Sequence, residues 1–137
     1  MVRKNMVVEK TVNYIEAHLD EEISLDKIAK DLNYSKFYLA RVFVKETGKT
    51  IYKYVQGRRL TLAARELVET QKPIVEIAYG AQYQSQQAFT AAFHQLYFCT
   101  PQKFRNNGVF YPRQSRIHMR MGYGSHTNCR LGGKIAA

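Results

Sequence analysis

The sequence predicts an all-α protein of about seven helices: two helix–turn–helix subdomains joined by a long central helix. Three observations carry this. First, the chain repeats itself. Ile28-Ala29 recurs as Ile77-Ala78 and Tyr34 as Tyr83, at an offset of 49. Ser35, Leu39, Phe43, Thr50, Lys53 and Tyr54 then recur as Ser85, Phe89, Phe93, Thr100, Lys103 and Phe104, at an offset of 50. The extra residue falls in Tyr83-Gln84-Ser85, a turn, where an insertion is tolerated. Second, apolar residues recur at helical spacing on both sides of the repeat. Third, the stretch Thr50–Thr70 between the copies reads as one helix. Ile51, Tyr54, Val55, Leu62, Ala63 and Leu67 can share a face, Thr50 serves as N-cap, and Pro73 forces a new start.

Each element follows from local chemistry. Val8, Val12, Ile15 and Leu19 form one face of a first helix over about 5–19, which Asp20-Glu21-Glu22 ends. Ser24 caps a short helix, Leu25–Leu32, with Asp26 in its first turn, where the helix dipole favours an anion. Asn33-Tyr34 forms a tight turn, because Asn tolerates the left-handed conformation. Ser35 caps the next helix, about 36–46, and Gly48 stops it. A short helix, a tight turn and a longer helix make the helix–turn–helix pattern. The second copy repeats it. Pro73 stands at a first helical position, Gln82-Tyr83-Gln84 is the turn, Ser85 caps a helix over 86–96, and Thr100-Pro101 opens a last one ending near Arg105. The expected boundaries are therefore 5–49 for the first subdomain, 50–70 for the connecting helix and 71–105 for the second subdomain. Residues 106–137 hold five of the eight glycines, five basic residues and no clear period, and are expected to be a flexible basic tail.

Charge points to a partner. The formal net charge is +10, unevenly spread. Residues 1–76 carry 14 Lys and Arg against 11 Asp and Glu; residues 77–137 carry 7 Lys and Arg and no carboxylate. Such a half favours a polyanion, with nucleic acid first and a membrane surface second, and double-stranded DNA is the expected partner. Nineteen helical residues, Ile51 to Glu69, span roughly 28 Å, close to the ~34 Å turn of B-DNA. Such a rod can set two reading helices into successive major grooves.

The candidate readers lie on the second helix of each copy. In the first copy, Leu39, Val42 and Phe43 are core-like, leaving Lys36, Phe37, Tyr38, Ala40, Arg41 and Lys45 partly or wholly outside. Phe37 and Tyr38 either face DNA or pack against neighbours. Arg41 suits bidentate contact with guanine. In the second copy, Phe89 and Phe93 are buried, and Gln86, Gln87, Thr90, Ala91 and His94 form the outer face. Gln suits adenine, and the alanine methyls can touch thymine methyls. Backbone phosphates are expected to meet Ser35, Lys36, Lys45, Ser85, His94, Lys103, Arg105 and the helix N-termini.

Other classes fit poorly. No apolar run approaches the roughly 20 residues of a membrane span, and no secretory signal opens the chain. Cys99 and Cys129 lack metal-ligand spacing, as do His118, His126 and Cys129 together. No triad, metal cluster or phosphate loop is present, so neither catalysis nor a cofactor is expected. A non-specific or antagonistic basic DNA-binding protein is the alternative that charge alone allows.

The chain resembles the DNA-binding domain of the AraC/XylS family of bacterial transcription regulators, within it the compact MarA, SoxS, Rob and TetD group. The resemblance rests on residues 14–20 (YIEAHLD), 24–29 (SLDKIA), 34–43 (YSKFYLARVF), 46–48 (ETG), 54–60 (YVQGRRL), 73–78 (PIVEIA) and 85–90 (SQQAFT). It spans about residues 7–105. It implies a monomeric, cytoplasmic, nucleoid-associated activator that reads an asymmetric site and contacts RNA polymerase. It places Arg41 at the base-reading Arg of that group, and Gln86 and Gln87 at its Gln pair. Phe37 stands where the group usually has Trp, Ala40 for a usual Gln, and Ala91 for a usual Arg. Residues 106–137 are too few for the ligand domain of Rob-like relatives, so regulation is expected through abundance.

Overall fold

The computed structural model describes residues 2–119, which form seven helices and no strand. They are α1 (Val2–Ala17), α2 (Leu25–Leu32), α3 (Lys36–Thr47), α4 (Ile51–Glu69), α5 (Ile74–Gly80), α6 (Gln86–Tyr97) and α7 (Pro101–Asn107). The expected caps form. The hydroxyls of Ser24, Ser35, Ser85 and Thr100 accept from the backbone N–H three residues on, and Thr50 does the same for α4. Pro73 is the cap residue of α5 and not its first helical residue.

The described residues divide into two compact units, 2–55 with 116–119, and 56–115. In the first, Val8, Val12 and Ile15 of α1, Ile28 of α2, Leu39 and Phe43 of α3 and Tyr54 of α4 pack into one core. Tyr54 is fully buried, yet its hydroxyl is satisfied. It donates to Glu16 Oε2 at 2.9 Å and accepts from the Ile117 amide at 3.2 Å. The second core gathers Leu60, Ala63, Ala64 and Leu67 of α4 with Ile77, Ala78, Phe89, Phe93, Tyr97 and Phe104. Its aromatic rings meet stacked and edge-on, with Phe93 4.7 Å from Tyr97 and 5.5 Å from Phe104.

Helix α4 thus supplies two cores, and each fixes its own buried face. Leu62, expected on a single shared face, is exposed. At about 100° per residue it falls opposite Leu60, Ala63, Ala64 and Leu67.

Residues 108–119, expected to begin a flexible tail, are docked. Tyr97 donates to the Tyr111 carbonyl, Gln114 N–H donates to Thr61 Oγ1 at 3.0 Å, and Arg58 Nη1 donates to the Gln114 carbonyl at 2.9 Å. Arg113 Nε donates to the Leu96 carbonyl, and the Arg65 guanidinium lies 5.1 Å from the Phe110 ring centre. In the first unit Ile117 is buried, Met119 N–H donates to Glu9 Oε1, and Arg116 donates to the Asn13 side chain. The remainder of the expected tail, with His126 and Cys129, lies outside the described residues.

Candidate nucleic-acid interface

The two helix–turn–helix elements share the same turn and the same start and stop of the second helix, although Ser24 caps α2 with its side chain and Pro73 gives α5 no such bond. Asn33 leaves α2 at φ 63°, and Gln82 follows α5 at φ 70°. Tyr34 N–H then donates to the Ala29 carbonyl at 2.9 Å, and Tyr83 N–H to the Ala78 carbonyl at 3.1 Å. Ser35 and Ser85 start α3 and α6, and each Oγ accepts a backbone amide. Each hydroxyl proton remains able to donate to an anion. At the far ends Gly48 N–H donates to Val44 and Phe98 N–H to His94, both at 2.8 Å and both from left-handed residues.

Helix α3 buries Leu39, Val42 and Phe43 and turns Lys36, Phe37, Arg41 and Lys45 outward, with Ala40 half-buried between them. Phe37 is 72% exposed, far more than a packing role allows, so its ring is presented. Tyr38 goes the other way. It is half-buried against the first core, 6.0 Å from Tyr34, and the Arg41 guanidinium lies 5.8 Å from its ring centre. Tyr38, expected among the base readers, thus has its ring between Tyr34 and Arg41 and is only half accessible. Lys36 Nζ pairs with Asp26 at 3.0 Å on the surface, a partner that an incoming phosphate would compete for.

Helix α6 buries Phe89, Phe93 and Tyr97. Gln86, Gln87, Ala91 and His94 are exposed and Thr90 is half-buried, so the expected outer face assembles. Lys103 is exposed in the first turn of α7. Arg105 is placed otherwise. Its guanidinium donates to the carbonyls of Leu67, Thr70 and Lys72. It clamps the end of α4 through these three bonds.

Sequence reasoning passed over Val44, which is 42% exposed on the outward face of α3. Its spacing of seven from Phe37 was the available signal. Among the described residues no group of three His, Cys, Asp or Glu is placed to hold a metal ion, and no helix is long and apolar enough to cross a membrane. Cys99 is a half-buried free thiol.

Two solvent-facing second helices, each N-capped by Ser behind a tight left-handed turn, define a double helix–turn–helix DNA-binding protein. Residues 28–107 match the family model described as a helix-turn-helix domain. The chain is 43% identical over 104 residues to the transposon Tn10 TetD protein of Escherichia coli, covering 76% of this chain and 75% of that one. It is 38% identical over 100 residues to the regulatory protein SoxS of Salmonella typhimurium, covering 73% of this chain and 94% of SoxS. Among solved structures, the C-terminal domain of AraT, a response regulator from Geobacillus stearothermophilus, superposes with a TM-score of 0.71 at 28% identity, covering 82% of this chain and 93% of that domain. The chain belongs to the AraC-type family of helix-turn-helix transcription regulators, with TetD and SoxS among its relatives.

Proposed function

We propose that this regulator acts as a monomer on an asymmetric DNA site, with α3 and α6 in successive major grooves, and activates transcription through contact with RNA polymerase. One observation supports the asymmetry above all. The two reading helices are equivalent in backbone and unlike in chemistry. Phe37, Ala40, Arg41 and Val44 correspond to Gln87, Thr90, Ala91 and His94. A dimer presents the same helix to both half-sites and reads a palindrome, whereas one chain with two unlike helices reads two unlike elements. In this account Phe37, Ala40, Arg41, Gln86, Gln87, Thr90 and Ala91 meet base edges. Ser35, Lys36, Lys45, Ser85, His94 and Lys103 hold the backbone, with α4 and the two subdomains divided as the repeat suggests. The protein works in the bacterial cytoplasm, on the nucleoid.

The charge asymmetry favours a second reading, in which a basic protein occupies DNA without activating. Affinity at physiological salt separates the two. A selected duplex should bind at least about 10³-fold more tightly than a random one, and purified polymerase should then transcribe a promoter carrying that site only when the protein is added. Equal affinities would leave the non-specific binder. Selectivity without added transcription would leave the antagonist.

A further inference from the structure

The outward stripe of α3 carries more apolar surface than a DNA-facing helix needs for charge. At about 100° per residue, Phe37, Ala40, Arg41 and Val44 fall within an arc of about 100°, opposite Leu39, Val42 and Phe43. Phe37 is 72% exposed and Val44 42%. Around them stand Lys36, Arg41 and Lys45, all exposed. An apolar strip bordered by cations suits a surface that is itself apolar inside an anionic frame. In a major groove that surface is the row of thymine C5-methyl groups, the one apolar feature of the base edges, between two phosphate chains. Helix α6 offers an internal comparison. At the positions matching Phe37, Ala40 and Val44 it carries Gln87, Thr90 and His94, which suit hydrogen bonding.

We infer that the first reading helix recognises thymine methyls, through Phe37, Ala40 and Val44, with Arg41 supplying the single hydrogen-bonded base contact. Val44 thereby becomes a specificity residue. The inference rests on the base-reading function proposed above. Each methyl buried against this strip is worth about fourfold in affinity, the factor for one buried carbon.

The test replaces thymine by uracil, one position at a time, in a duplex chosen by selection, since uracil pairs identically and lacks only the methyl. Binding of the full chain is measured against the selected, uracil-substituted and random duplexes. About fourfold weakening at two or more thymines in the half facing α3 is expected. Val44→Ala should weaken the parent duplex by a similar factor and abolish the uracil effect at one of those positions, while Gln87→Ala leaves it in place. Uracil duplexes bound as tightly as the parent, with preference over random DNA intact, would overturn the inference and spare the base-reading function. So would a selected half-site without thymine. Equal binding of selected and random duplexes would overturn both.

Discussion

Arg105 Nε donates to the carbonyl oxygen of Leu67 at 2.8 Å, and the same guanidinium reaches the carbonyls of Thr70, at 3.3 Å, and Lys72, at 2.8 Å. The last carbonyls of a helix have no partner within it, and here a cation from α7 supplies one, at the end where the helix dipole favours positive charge. Arg105→Ala is expected to lower unfolding free energy by about 2–3 kcal/mol, measured by urea denaturation. It should leave the salt slope of DNA binding unchanged. Lys103→Ala should do the reverse, reducing that slope by about one phosphate contact.

Gly57 is where residues 113–115 approach α4. A Cβ built on Gly57 would stand 2.9 Å from Gln114 Cβ and 3.0 Å from its Cγ. Side-chain rotation can move Cγ, but Gln114 Cβ is fixed to the backbone, so the closest contact cannot be relieved without moving the main chain. Gly57→Ala is expected to cost about 1–3 kcal/mol and to speed hydrogen exchange at the Gln114 amide, whose partner is Thr61. Gly48 provides the contrast. It has φ 81° and open space around it, so Gly48→Ala should cost about 1–2 kcal/mol through the backbone alone and leave the Gln114 amide bonded.

Tyr14 donates to Asp31 Oδ2 at 2.5 Å, tying α1 to α2. This bond holds Asp31 below the ordinary carboxylate range and, aided by burial, pushes Tyr14 up to about 12. The signs follow from linkage. Asp31 is depressed on folding, so its contribution is present above the ordinary aspartate pKa and is lost as pH falls through the lowered value. Tyr14 is raised, so its contribution is present below the ordinary tyrosine pKa and is lost as pH rises toward about 12. Tyr14→Phe should be less stable than the parent at neutral pH, and the difference should vanish in acid. Thermal melts from neutral pH downward check this.

Arg41 is the exposed guanidinium on the outward face of α3. Arg41→Ala is expected to cost about 1–3 kcal/mol at the preferred site and to relax one base position, as loss of a bidentate guanine contact does. Binding measured over single-base variants of the site reads both effects. Uniform weakening across all variants would make Arg41 a phosphate contact.

Much of this was legible in the residues. The apolar period of α1, the repeat, the Ser and Thr caps and Pro73 together located all seven helices, because periodicity and caps are local signals. Four of the missing pieces were not local. Leu62 was misplaced because one helix serves two cores, and no single face describes it. Arg105 carries the right charge for phosphate, but charge does not reveal that three carbonyls lie within its reach. Tyr38 is aromatic on a reading helix, and only packing shows that it turns toward Tyr34. Residues 108–119 dock largely through backbone groups, among them the Tyr111 and Gln114 carbonyls and the Gln114, Ile117 and Met119 amides. Such bonds leave no side-chain pattern. Gly57, in mid-helix, was the faint trace of them.

The most direct test of the central claim is selection of bound duplexes from a random library by the purified chain, followed by sequencing. Two unlike elements about one helical turn apart, with no palindrome, are the result expected of one chain reading with α3 and α6. A palindrome would contradict the monomer, and the absence of any enriched sequence would contradict base reading altogether.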